Sequence, residues 1–147
     1  MDQSRVIFHL KTLPSGPIIN PSEAATTSWR FSSDGDDYKL EIVRRIGRRR
    51  KARKVIIGKS KAKQWLKIIG RVQISMFPIE QESCDGSFYE LRTTGPRCAA
   101  VSLGWYNAAP QGAEPLDTLT DRLWDFVTPD LDFSIEQIDS HFMLMQA

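Results

Sequence analysis

Between positions 44 and 71 the chain carries thirteen basic side chains and no acidic one: Arg44, Arg45, Arg48, Arg49, Arg50, Lys51, Arg53, Lys54, Lys59, Lys61, Lys63, Lys67 and Arg71. The chemistry open to such a run is anion recognition. Arginine supplies six of the eight cations from 44 to 54, and its planar fork bonds phosphate or carboxylate through two parallel N–H groups. The lysines at 59, 63 and 67 are compact point charges suited to tracking a backbone. If phosphates are the target, each one neutralised releases counterions, so binding should weaken steeply with salt.

The remainder of the chain leans the other way. Residues 1–43 carry a net charge of −2 and residues 80–147 a net charge of −9, against +2 for the whole. Asymmetry of this kind points to an electrostatic partner, either a nucleic acid or an acidic protein. Internal balance is the competing reading. Asp117, Asp121 and Asp125 recur every four residues and could meet the run within the chain, or across a homodimer joined basic face to acidic face.

Catalytic and metal-binding motifs are all incomplete. Gly58-Lys59-Ser60 ends like a phosphate-binding loop, but the glycine required five positions earlier is Arg53. A glycine turn and a serine cap explain it more simply, with a looser anion site at that helix start as the remainder. His9 and His141 stand far apart without ligands at metal spacing, and Cys84 and Cys98 form no CxxC pair. Two cysteines imply no disulfide framework. Ser102 lacks the preceding glycine of a nucleophile elbow. Glu41 and Glu80 bracket the run, a weak basis for a metal-assisted nuclease. Hence the chain reads as a non-enzymatic binding protein without metal or cofactor.

Positioning that run requires strands and a helix. Arg5–Leu10 reads as a strand, 14–28 as a loop and Trp29–Phe31 as a short strand. After the Asp34-Gly35 turn, Tyr38–Ile46 alternates as a strand. Gly47 to Arg50 is expected to turn, and Lys54–Ile57 to return. Lys61–Ile69 follows as a helix with Ser60 as N-cap and Gly70 just past its end. Ala62, Trp65, Leu66 and Ile69 share its apolar face, with Lys63 and Lys67 opposite. The basic run therefore maps onto a hairpin tip and a helix face, a unit covering 44–71.

A second ββα unit spans 85–127. It comprises the Asp85-Gly86 turn, a strand over 87–93, the Gly95-Pro96 turn, a strand over 97–105 with Trp105 inward, and a helix over 115–127 opened by Pro115. A further helix is expected over 135–145, where Ser134 and Gln137 have capping-box spacing. Asp34-Gly35-x-x-Tyr38-x-Leu40 recurs as Asp85-Gly86-x-x-Tyr89-x-Leu91. Internal duplication is one explanation; common hairpin chemistry is the other. The class is α+β: one domain over 1–147, an antiparallel sheet from two ββα units, and a carboxy-terminal helix.

No run of about 18 apolar residues could span a membrane, and no signal-peptide pattern opens the chain, so the expected compartment is the cytoplasm. The functional expectation is association of the 44–71 surface with a nucleic-acid phosphate backbone. The alternative is an inhibitor or immunity-type protein that blocks a toxin or other enzyme, where charge complementarity would speed docking.

Overall fold

Among the described residues, six strands pair antiparallel in the order β4-β3-β2-β1-β5-β6. They are β1 (Ser4–Ser15), β2 (Ala25–Asp34), β3 (Asp37–Ile46), β4 (Arg49–Ile57), β5 (Gly86–Thr94) and β6 (Ala100–Tyr106), with helices α1 (Lys59–Gly70) and α2 (Pro115–Trp124). This computed structural model describes residues 4–15, 25–73, 86–94 and 100–131. The α+β class holds, and no helix among the described residues is long and apolar enough to cross a membrane. Both ββα segments are present, at opposite edges of the one sheet; β1 and β2 lie between them and belong to neither. The expected helix over 135–145, the Gly95-Pro96 turn, Asp85, Cys84, Cys98 and His141 fall outside the described residues.

Period-two alternation divides the sheet into a dry face and an open one. Phe8, Leu10, Trp29, Phe31, Leu40, Ile42, Leu91 and Trp105 point to the dry face and are buried. Trp65 of α1 sits among them, edge-on to Phe8 and Phe31. From α2, Leu116, Leu119 and Leu123 complete the core. Trp29 donates its indole N–H to the Leu123 carbonyl at 2.9 Å, tying the middle of the sheet to the helix. Burying each such side chain is worth about 1.5–3 kcal/mol.

Two tight hairpins build the basic edge. Asp34 pairs with Asp37 across Gly35-Asp36, and Ile46 pairs with Arg49 across Gly47-Arg48. In both turns the first central residue is a glycine with positive φ, 63° at Gly35 and 58° at Gly47, as a type II′ hairpin requires.

Several boundaries differ from the sequence expectation. Arg49 and Arg50 lie in β4 rather than in the turn, because the connection needs only two residues. β1 continues to Ser15 and β2 begins at Ala25. In β2, Thr27 lies in the core while Thr26 and Ser28 face outward, so small polar residues disguise an alternating strand. α1 is capped by Gly58 with no side-chain bond, leaving Ser60 inside the first turn. Leu66 is exposed instead of sharing the buried stripe with Ala62 and Trp65. α2 ends at Trp124, after which Phe126 and Val127 still pack on the core.

Candidate anion-binding face

The fold distributes the basic run over four places: the two faces of the sheet, the β3–β4 turn and α1. Arg45, Arg50 and Lys54 point to the open face, because Arg45 pairs with Arg50 and Glu41 with Lys54, out of phase with buried Leu40 and Ile42. Arg44, Arg49, Lys51 and Arg53 are in phase with the dry face, on the part of β3 and β4 nearest the Gly47 turn. There the Arg44 guanidinium lies over the Trp124 ring at 5.9 Å, and Arg53 donates to the Thr128 hydroxyl at 3.1 Å. Arg48 occupies the exposed turn. Lys59, Lys63 and Lys67 are exposed on α1. β4 separates the turn from the start of α1 by nine residues, about 30 Å of extended chain. The sheet thus brings together only part of the run.

It also adds cations from distant sequence. Lys11 of β1, Arg30 of β2, Lys39 of β3 and Arg92 of β5 are exposed and lie on the same open face. One cross-strand row reads Lys54, Glu41, Arg30, His9, Arg92, Ser102 from edge to edge. The next reads Ala52, Val43, Ser28, Lys11, Glu90, Gly104. Beyond it, Arg50 and Arg45 stand at one side, and Leu13, Phe88 and Tyr106 at the other.

A trough of about 340 Å³ is sunk into this face. Thr26, Ser28 and Val43 form its low floor; Arg45, Arg50, Lys11, Arg30, His9 and Glu41 rise around it. Carboxylates temper the field: Glu41 pairs with Lys54 at 3.8 Å, and Glu90 sits beside Lys11 in register. His9 is half-buried, and its imidazole pKa is held below the ordinary value, first by burial, then by the Arg30 and Lys11 charges, with Glu90 opposing them. It is therefore a neutral group at neutral pH, surrounded by cations.

Like-charged side chains placed directly opposite in an antiparallel pair are destabilising. Arg45–Arg50 is such a pair, and Arg44–Lys51 repeats the pattern on the other face. The acidic stripe of α2 does not lie on the open face, since α2 packs its leucines on the dry one. Asp117 accepts a bond from the Ala109 backbone N–H at 2.9 Å and so holds the loop before α2.

Trp65, placed by its spacing on the apolar face of the helix, is fully buried. His9, Lys11, Arg30 and Arg92 join this candidate face only through strand pairing, which pooling charge by nearness in sequence does not reveal. The available signal was alternation: His9 and Lys11 are two apart and out of phase with Phe8 and Leu10. Among the described residues no group of three His, Cys, Asp or Glu side chains could hold a metal ion. Compared with protein families, curated proteins and solved structures, the chain matches none.

Proposed function

We propose that the protein binds nucleic acid through its phosphate backbone, using the open sheet face rather than the whole 44–71 segment. One observation carries this reading: Arg45 and Arg50 oppose each other on neighbouring strands at the rim of a trough that Lys11 and Arg30 also line. Their mutual repulsion is relieved when an anionic oxygen sits between the two forks, each able to donate two N–H bonds. The hydroxyls of Thr26 and Ser28 on the trough floor are further donors for phosphate oxygens. Such contacts fix register without reading bases, so the binding is expected to be general in sequence.

A salt titration of a labelled oligonucleotide, followed by anisotropy, tests the reading. The affinity should fall along a straight line in log–log form, and Arg45→Ser with Arg50→Ser should flatten that line by roughly two units of slope. A double variant that binds as tightly, with the same slope, removes the open face from the interaction. Binding of an acidic protein with no affinity for nucleic acid would instead favour the inhibitor reading.

A further inference from the structure

We infer that the open face selects a single strand over a duplex, laid across the strands from the Arg45–Arg50 pair to the Phe88–Tyr106 pair; this rests on the nucleic-acid reading above. Three observations carry it.

The first is the shape of the basic site. Its lining runs from His9 and Lys11 of β1 across Thr26, Ser28 and Arg30 of β2 to Arg45 of β3 and Arg50 of β4, three strand spacings or about 14 Å. A single phosphodiester chain crossing the strands can settle into it, with cations at both ends and hydroxyls on the floor.

The second is that, among the described residues, nothing on this face could enter a duplex groove. A helix or a two-stranded ribbon can fill a major groove. Both described helices lie on the opposite face of the sheet, where their apolar residues join the core. The β3–β4 ribbon is not free to project, because β2 pairs with β3 out to Ala25–Ile46, leaving only the Gly47-Arg48 turn beyond.

The third is an aromatic pair on the same face. Phe88 and Tyr106 are cross-strand partners with ring centroids 4.9 Å apart and planes 55° from parallel. Both remain partly accessible. Gly104 makes room for this corner: a Cβ there would lie 2.7 Å from the Phe88 ring. An aromatic surface beside a basic track is how sequence-tolerant single-strand sites hold bases, and bases locked in a duplex cannot reach it. From β3 to β6 the path crosses four strand spacings, about 19 Å, which suits a site on the order of four nucleotides.

The test compares four probes at low salt by anisotropy or competition: a short oligothymidylate, an oligoadenylate, a duplex of equal length, and inorganic polyphosphate. Both single strands should bind at least tenfold tighter than the duplex and tighter than polyphosphate of equal charge. Tyr106→Ala should weaken oligothymidylate by roughly tenfold and leave polyphosphate unchanged, while Tyr106→Phe keeps the affinity. A duplex that binds as well as the single strands overturns the inference and leaves the proposed function standing. Failure of all four probes overturns both. The wild-type comparison decides the matter even if Tyr106→Ala does not fold.

Discussion

His9 occupies the most informative single position on the open face. Arg30 and Arg92 flank it in register, and Lys11 and Glu90 lie one row away. Its lowered pKa means the unfolded chain takes up a proton first as pH drops. Stability should therefore be complete above about 6.5, the unfolded value, and fall through the window down to the folded pKa. His9→Gln should flatten that dependence in thermal unfolding followed between about pH 5 and 8. A bound polyanion acts oppositely, favouring the imidazolium, so oligonucleotide affinity should rise as pH falls and lose part of that rise in His9→Gln. The two central tryptophans offer a second residue-scale comparison. Trp29 donates to Leu123, whereas the buried indole nitrogen of Trp65 has no hydrogen-bond partner among the described residues. Replacing each by Phe should cost more at Trp29, by about 1–2 kcal/mol, as read from denaturant midpoints.

At the scale of elements, backbone geometry rather than charge sets the limits. Gly112 has φ +91°, and a Cβ there would collide with the Gln73 carbonyl; its own carbonyl accepts the Gln73 N–H at 2.8 Å. Gly112→Ala should unlatch the chain after α1 from the loop before α2 and lower stability by about 2–4 kcal/mol, measurable by chemical denaturation. This latch joins residues far apart in sequence, and no local pattern announces it. By contrast, β3 was legible because Leu40 and Ile42 alternate with charged neighbours, and α2 because Pro115, Leu116, Leu119 and Leu123 combine a start signal with helical spacing. Of β2, the sequence pattern marks only Trp29–Phe31, because Thr26, Thr27 and Ser28 have the composition of a loop. The candidate site was only partly legible: Arg45 and Arg50 stood out in the run, but their partners Lys11 and Arg30 join them only through pairing across β2. β4 also has a second use for its charge. It is an edge strand, and a strand carrying Arg49, Arg50, Lys51, Arg53 and Lys54 repels sheet-to-sheet pairing. Exchanging Arg50 and Lys54 for Thr should therefore promote self-association, visible by sedimentation.

For the whole molecule, the net charge of +2 conceals an uneven spread of sign. The open face is rich in cations, while α2 presents Asp121 and Asp125 to solvent. Repulsion among the open-face cations weakens as salt screens it, over a Debye length near 10 Å at 0.1 M. The free protein should therefore gain thermal stability between low and moderate salt, just where its affinity for nucleic acid declines. A melting series in sodium chloride checks this; a steady loss of stability would mean the attractive pairs, such as Lys54–Glu41, outweigh the repulsive ones.

The position of β1 carries a consequence for how the chain reaches this state. It pairs with β2 on one side and β5 on the other, and Arg5 reaches the Thr94 carbonyl across 89 positions of sequence. The β1–β4 meander consists of neighbours in the chain and can zip together early, while the contacts with β5 close a much longer loop and come at a higher entropic cost. During synthesis, then, β1 emerges before the other described strands and is completed late. Until β5 is made, one hydrogen-bonding edge of the nascent sheet stands vacant, and that interval is when a chaperone or a neighbouring chain would find the protein most receptive.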